Sequence, residues 1–177
     1  MHPTVQHVVA ALALRGVAGE IVELPAAVPT AAAAAAQLGC TAGEIANSLI
    51  FSVDDVPLLV VSSGSHRVST RRLAGLAGVA RRRVRSPGHE FVERVTGQEV
   101  GGIAPVGHPQ PIRTFVDIRL RQHPRLWAGA GLRHTVFAIS FAALLQVTRG
   151  EAAAVGEDLA QLTARPLRGK LVNQVVF

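Results

Sequence analysis

The sequence of 177 residues has little of what many structural and catalytic sites require. Its single cysteine, Cys40, excludes an internal disulfide, and a lone thiol in an Ala-rich apolar segment is typical of a small core residue. Lysine occurs once, at Lys170, which leaves the body of the chain without a catalytic lysine. Because no apolar run of 18 residues is present, no membrane-spanning helix is expected.

Metal and cofactor motifs are also missing. The seven histidines show neither i, i+4 pairing nor cysteine-linked spacing, and no GxxxxGK[ST] loop occurs. "GAGLRH" lacks the third glycine and the later acidic residue of a dinucleotide site. We therefore expect no metal and no cofactor. The start "MHPTVQHVV" lacks the cationic flank of a secretory signal, which together with the lone cysteine predicts a cytoplasmic protein without membrane association.

The positive charge is concentrated in one stretch. Net charge is +6, and 17 of the 18 basic residues are arginines. Guanidinium groups bind phosphates bidentately, so a dense cluster suits a polyanion such as tRNA, although a solvated basic face is the alternative. Seven arginines fall within 19 residues: Arg67, Arg71, Arg72, Arg81, Arg82, Arg83 and Arg85.

The order of apolar patterns predicts a single α+β domain. "PTVQHVVAALALRG" and "TAAAAAAQLG" have helical patterns, the second with Thr30 as N-cap and Gly39 after its end. "IANSLIFSV" and "VPLLVVSSG" predict a hairpin that turns at Asp54 and Asp55. We expect a mixed, mostly antiparallel sheet with helices packed around it over residues 1–149, and a C-terminal extension of unknown role over 150–177.

A glycine-rich loop, "VTGQEVGGIAPVGHPQP", spans residues 95–111 and carries almost no reactive side chain. Loops that perform chemistry usually contain Ser, Cys, His or Asp. Glycines instead allow the backbone to approach a ligand closely, and Pro105 stiffens the turn. The loop is therefore either a surface turn or a site built from backbone amides.

Several segments in this order resemble the YbaK/EbsC family, relatives of the editing domain of prolyl-tRNA synthetases. The resemblance runs from about residue 3 to residue 148. The segments that carry it are "GEIVEL", "AAQLGCTAGEIANSLIF", "PLLVVSSGSHRVSTRRLAGL", "VTGQEVGGIAPVG", "TFVDIRL" and "AGAG" before "FAISFAALL".

The resemblance implies an α+β fold and hydrolysis of the ester of a mischarged aminoacyl-tRNA that carries a small amino acid. It implies aminoacyl-tRNA as substrate, with a synthetase as a further partner. The family loop presents amides to the aminoacyl carbonyl and terminal ribose, and the ribose hydroxyl next to the ester assists the attacking water. The loop residues that correspond here are Gly101, Gly102, Ile103, Ala104 and Pro105.

One departure from the family concerns the strand "IANSL". Many members carry a lysine that contributes to deacylation where this chain has Asn47, followed by Ser48. An asparagine can orient a carbonyl but cannot neutralise an oxyanion. Asn47 is thus either a substituted active-site residue, with Ser48 in the substrate site, or a structural hydrogen-bonding residue. A non-catalytic protein that binds tRNA ends or a synthetase is the alternative function, and hydrolysis of another small ester or thioester is a third.

Further candidates come from the segments that flank the strands. Gly64 is expected to permit substrate approach, and His66 is either functional or an exposed loop histidine. Gly131 and His134 lie on the last stretch that is near substrate in relatives. Asp117 is predicted to cap a helix start rather than act as a general base, and Ser62, Ser63 and Ser65 show no His and Asp partners for a serine triad.

Overall fold

The computed structural model describes residues 1–157, which form five helices and one eight-stranded sheet. The side chains of Thr30, Ser69 and Ser140 each accept an amide hydrogen bond at a helix start. Gly39 ends its helix in the left-handed conformation, as predicted. The helices are α1 (Pro3–Ala13), α2 (Ala31–Leu38), α3 (Thr70–Ala77), α4 (His89–Thr96) and α5 (Phe141–Thr148).

The sheet is mixed, with four antiparallel and three parallel pairings, which confirms the predicted α+β class. Its order is β1-β7-β6-β2-β3-β5-β8, and β4 pairs with β2. The strands are β1 (Ile21–Glu23), β2 (Ile45–Val53), β3 (Val56–Ser63), β4 (Val84–Arg85), β5 (Arg113–Asp117), β6 (Leu126–Gly129), β7 (Thr135–Ile139) and β8 (Glu151–Ala153).

The two faces of the sheet bury different helices. On the α1 face, Ala46 and Ile50 of β2 pack in the main core with residues of α1, α4 and α5. On the opposite α2 face, Ile45 contacts the cluster that contains α2, and Phe51 contacts the cluster that contains α3. Because side chains alternate along a strand, Asn47 shares the α2 face with Ile45.

The sheet extends past the domain boundary that the sequence predicted at residue 149. Strand β8 pairs in parallel with β5, and Val68 bridges to Gly156. Residues 150–157 thus belong to the same sheet, because a parallel partner for β5 requires the chain to return after α5. The rest of the predicted extension, residues 158–177, lies outside the described residues.

The hairpin of β2 and β3 has two ends, which we name by position. The turn end contains Asp54 and Asp55, both with positive φ (50° and 64°), as in a two-residue hairpin turn, and this hairpin was predicted. The site end is where β2 begins and β3 finishes. Asn47, near the site end, lies five residues from Ser52, or about 17 Å along the strand.

Candidate active site

A row of small and polar residues crosses the α2 face at the site end of the sheet. Asn47 of β2 pairs directly with Ser62 of β3. The parallel register of Val61 with Val116 places Asp117 beside Ser62, and that of Ala46 with Ala128 places Gly129 beside Asn47. Four strands thus contribute neighbouring residues to one face.

Asn47 lies in this row with an unsatisfied acceptor. Its Oδ1 is buried and has no hydrogen-bond partner among residues 1–157. A buried acceptor without a partner costs about 1–3 kcal/mol, so its retention favours a donor supplied by a ligand. Ser48 points to the α1 face instead, 2% exposed and with its Oγ likewise unpartnered within that range, so the two candidates of this strand lie on opposite sides of the sheet.

The Gly101–Pro105 loop uses two of its amides internally. The Gly102 N–H donates to the Glu99 carbonyl at 3.0 Å, and the Ala104 N–H donates to the Gln98 Oε1 at 2.7 Å. Within the described part of the chain, the amides of Gly101 and Ile103 have no acceptor. The loop therefore has two N–H groups, two residues apart, whose hydrogen-bonding capacity the described residues do not use.

Buried hydrogen bonds hold the loop in one conformation. The Gln98 Nε2 donates to the Val106 carbonyl at 2.9 Å, so this side chain bridges both ends of the loop. The His108 Nε2 donates to the Ala104 carbonyl at 2.9 Å, and burial lowers the pKa of His108, which favours its neutral form. The sequence analysis did not identify Gln98. The signal that could have indicated it is an amide side chain immediately before a loop whose backbone N–H and C=O groups need hydrogen-bond partners.

Two glycines bring the loop against the end of β6. A Cβ on Gly102 would lie 2.2 Å from the carbonyl carbon of Leu132, and one on Gly129 would lie 2.8 Å from the Ile103 oxygen. Both positions therefore exclude a side chain. Because Gly129 also neighbours Asn47 in the row, the loop backbone and Asn47 both lie next to this glycine.

The other candidates in and around the loop mainly help to hold its backbone in place. Ile103, Ala104 and Pro105 are buried, and Ile103 and Ala104 pack in the core of the α1 face. Gly131 has φ +98° and its N–H donates to the Gly102 carbonyl at 2.7 Å. His134 has an exposed side chain in the following turn. Any substrate contact by Ile103 or Ala104 thus involves main-chain atoms.

Gly64 packs against protein instead of leaving space for substrate, and His66 is buried instead of exposed. A Cβ on Gly64 would meet Ala31 at 2.5 Å and the Ala42 carbonyl at 2.6 Å, so its missing side chain makes room for protein, not for substrate. The His66 side chain is 6% exposed, so it is not an exposed loop histidine. Gly156 packs against its ring, and this contact was not foreseeable because residues after 150 had no predicted place in the sheet.

Asp117 caps the turn after β5, as predicted, by accepting the Arg119 amide at 3.1 Å. It also accepts hydrogen bonds from the Ser63 amide and the His66 Nε2. Burial alone would raise the pKa of Asp117, but these hydrogen bonds outweigh it and lower the pKa below its ordinary value. Asp117 is therefore a charged carboxylate that accepts three hydrogen bonds, and one of these bonds orients the His66 imidazole.

No serine triad forms in the described residues. The Ser63 Oγ lies 2.9 Å from the Ser65 Oγ and donates to the Gly43 carbonyl, while the Ser62 Oγ donates to the Ser63 carbonyl. The Nδ1 of His66 is buried without a partner among residues 1–157. The Asp and His that a triad needs are thus nearby, but no serine hydroxyl contacts the imidazole.

The arginine cluster is divided between the two ends of the sheet. Arg67 follows His66 at the site end, and Arg71 and Arg72 lie in the first turn of α3. Arg81–Arg83 form a 3₁₀ turn leading into β4, which pairs with the last residues of β2 at the turn end. There Arg83 forms an ion pair with Asp54. The cluster is therefore not one continuous site.

Residues 1–157 contain no group of three or more His, Cys, Asp or Glu side chains placed to hold a metal ion. Nor does any helix in that range have the length and apolar character needed to cross a membrane.

Comparison with known proteins identifies the class of this fold. A crystal structure of a proposed trans-editing enzyme for prolyl tRNA synthetase is 32% identical, with a TM-score of 0.83 over 89% of this chain and 99% of that one. The crystal structure of the hypothetical protein APE2540 is 29% identical, with a TM-score of 0.78 over 85% and 99% of the two chains. The fold is thus that of a known α+β group.

The family follows from the sequence match. The uncharacterized protein YwhH of Bacillus subtilis (strain 168) is 25% identical over 122 residues, 68% of this chain and 76% of that protein. Residues 25–147 match the family model of the aminoacyl-tRNA editing domain. The chain belongs to this family of aminoacyl-tRNA editing domains.

Proposed function

We propose that this protein is a trans-editing hydrolase that deacylates a mischarged aminoacyl-tRNA carrying a small amino acid. The observation that carries the proposal is the pair of unsatisfied amides, Gly101 and Ile103, in a braced loop beside Asn47. The family match and the similarity to a proposed trans-editing enzyme support the same chemistry. The substrate is aminoacyl-tRNA, with a synthetase as a further partner.

The reaction needs little from side chains because an ester already contains its leaving group. Water adds to the aminoacyl carbonyl carbon, and the carbonyl oxygen becomes an oxyanion. The bond to the ribose oxygen then breaks, and that oxygen leaves with a proton originating from the water. The products are the free amino acid and uncharged tRNA.

The amides of Gly101 and Ile103 stabilise the oxyanion in this scheme. Preorganised donors act strongly because they need no reorganisation during the reaction, and one such donor contributes about 2.7–4 kcal/mol. Gln98 and Gly131 fix the loop by bonding the Ala104 amide and the carbonyls of Val106 and Gly102. Asn47 orients the substrate with its free Oδ1, which accepts a donor such as the amino group next to the ester.

The neighbouring ribose hydroxyl serves as the group that places and activates water. Within the described residues, no lysine is available, and the free Nδ1 of His66 is buried on a ring against which Gly156 packs. A general base must lie within hydrogen-bond reach of the attacking water, and the substrate hydroxyl satisfies this condition.

The test is a panel of aminoacyl-tRNAs that carry different amino acids, scored for ester loss with and without the protein. We expect faster hydrolysis for one or a few small mischarged amino acids and none for correctly charged tRNAs. Binding without any ester loss across the panel would instead favour a non-catalytic tRNA-binding protein, which the absence of the family lysine would suit. Hydrolysis that does not depend on the tRNA body would indicate another small ester as substrate.

A further inference from the structure

A cleft on the α2 face lies next to the candidate active site and has no role in the chemistry above. Its volume is about 380 Å³, and its lining includes Trp127, Arg125, Gly39, Cys40 and Glu44. Trp127 pairs with Ile45 across β2 and β6. Asn47 is two residues further along that strand, so the cleft begins about 7 Å from it.

Trp127 presents an aromatic surface in this cleft. The side chain is half-buried: it packs against the cluster that contains α2 and also lines the open space. Aromatic rings combined with nearby cations are the usual platform for single-stranded nucleic acid, since every base has a π-face. It is the only tryptophan of the chain, which contains no tyrosine.

The charge around the cleft suits a phosphate. Arg125 is exposed and forms no ion pair within residues 1–157, and Arg121 precedes it on the same exposed segment. Glu44 is the acid nearby, and its carboxylate accepts hydrogen bonds from the amide and hydroxyl of Thr41 at 2.8 Å. Those bonds, with His123 and Arg125 close by, lower the pKa of Glu44, so it stays charged and can accept a base amino group. Burial and the Glu44 carboxylate raise the pKa of the Cys40 thiol, which adds no negative charge.

We infer that this cleft binds a nucleobase and adjacent phosphate of the single-stranded 3′ end of the RNA, with the base stacked on Trp127 and the phosphate on Arg125. The inference rests on the proposed function, because it places the nucleotide that precedes the ester. In a stacked helix, successive nucleotides of one strand are spaced about 3.4 Å along the helix axis. A gap of about 7 Å between the cleft and Asn47 therefore suits one or two nucleotides.

The lone tryptophan makes the inference directly measurable. The full-length protein is titrated with the RNA tetranucleotide ACCA, which carries no amino acid, while tryptophan fluorescence is recorded. AMP is titrated in parallel. We expect saturable quenching by the RNA at a lower concentration than by AMP, because the RNA also offers further phosphates. No quenching at saturating RNA would overturn the inference, and equal affinity for AMP would assign the cleft to a free nucleotide.

Variants separate stacking from charge, using the anisotropy of a labelled ACCA. Trp127→Leu removes the π-face and weakens binding about 5- to 150-fold, the equivalent of about 1–3 kcal/mol for one stacked base, whereas Trp127→Phe retains most affinity. Arg125→Ser lowers the slope of log K against log salt by about 0.7. Arg94→Ser, an exposed arginine of α4 on the opposite face, changes neither. Unchanged affinity and salt slope in folded Arg125→Ser would contradict the assignment.

Because the RNA carries no ester, this result is independent of hydrolysis. Quenching without any deacylation would leave the cleft assignment standing and overturn the proposed reaction. Deacylation with no effect of Trp127→Leu on RNA binding would do the reverse.

Discussion

The two ends of the β2–β3 hairpin hold polar groups in opposite states. At the turn end, Asp54 forms an ion pair with Arg83 in which both side chains are about half exposed, and the Asp55 amide donates to the Ser52 Oγ at 3.1 Å. At the site end, the Oδ1 of Asn47 and the Nδ1 of His66 are buried without partners among residues 1–157.

This difference shows where a function is to be sought. Exposed, paired charges contribute little to stability and are easily exchanged. Buried unpaired groups cost free energy, so each of them is a candidate contact for a ligand, to be tested by substitution. The densest run of arginines, Arg81–Arg83, directs attention to the turn end, whereas the buried unpaired groups direct it to the site end.

The largest expected effect is the loss of hydrolysis rate when the substrate lacks the ribose hydroxyl next to the ester. Aminoacyl-tRNA whose terminal ribose lacks the hydroxyl next to the ester should bind normally and be hydrolysed about 100- to 10,000-fold more slowly, the usual contribution of acid–base assistance. His66→Ala and His134→Ala, assayed below their melting temperatures, should retain most of the rate on the normal substrate. If the deoxy substrate is cleaved at the normal rate while one histidine variant is inactive, a protein base performs this step.

The next effect concerns the loop. Gly101 has φ +99°, so Gly101→Val forces a β-branched residue into the left-handed region and displaces the amide. We expect kcat to fall about 100- to 1000-fold, the scale of one lost oxyanion donor. Gly75→Val is the matched control, because Gly75 is exposed in α3 with open space around it. Thermal melts accompany the kinetics, and equal kcat in both variants would exclude the loop from the mechanism.

A third effect concerns the buried carboxylate. Asp117→Asn replaces a charged acceptor of three hydrogen bonds and should cost about 1–3 kcal/mol of unfolding free energy at pH 7. The folded pKa of Asp117 is lowered, so its stabilisation is present above the ordinary value of 3.8 and is lost as pH falls through the folded pKa. Chemical denaturation should show the same gap between wild type and variant at pH 7 and pH 5 and a smaller gap at pH 3; an equal gap at all three pH values would show that charge is irrelevant there.

Much of the fold was predictable because its signals are local. Thr30 and Gly39 mark the limits of α2, and Asp54 with Asp55 marks the hairpin turn, since caps and turns depend on neighbouring residues alone. Strand β8 was not predicted, because Glu151–Ala153 has little β-propensity and its place depends on pairing with β5.

The site was predictable only in part, for the same reason. Asn47 and the glycine loop were identified by resemblance, and the structure brings them together through Gly129. The burial of His66 depends on Gly156, about 90 residues away in sequence. The bridge from Gln98 to the Ala104 amide and Val106 carbonyl depends on side-chain geometry that no spacing rule contains.

A smaller effect separates the two faces of β2. Asn47→Leu removes a buried unpaired acceptor and should leave the melting temperature unchanged or higher, while slowing deacylation about 10-fold through loss of one hydrogen bond of about 1.4 kcal/mol. Ser48→Ala removes the equivalent group from the opposite face and should leave the rate unchanged. A lowered melting temperature with a normal rate in Asn47→Leu would make Asn47 a structural residue.

The smallest effect lies at the turn end. Arg81 and Arg82 are exposed about 17 Å or more along the sheet from Asn47, so they can reach only RNA beyond the 3′ end. Arg81→Ser with Arg82→Ser should weaken binding of full-length tRNA a few-fold, and the slope of log K against log salt should become shallower by about 0.9 for each lost phosphate contact. Binding of the tetranucleotide ACCA and the rate at saturating tRNA should not change, and the melting temperature should stay the same because neither side chain is buried. Arg83 is left in place, since its loss would also release Asp54 and confuse repulsion with a lost contact. An unchanged affinity and salt slope for whole tRNA would show that the turn end is a solvated surface, whereas weaker binding of the tetranucleotide would place the RNA end there and contradict the division between the two ends.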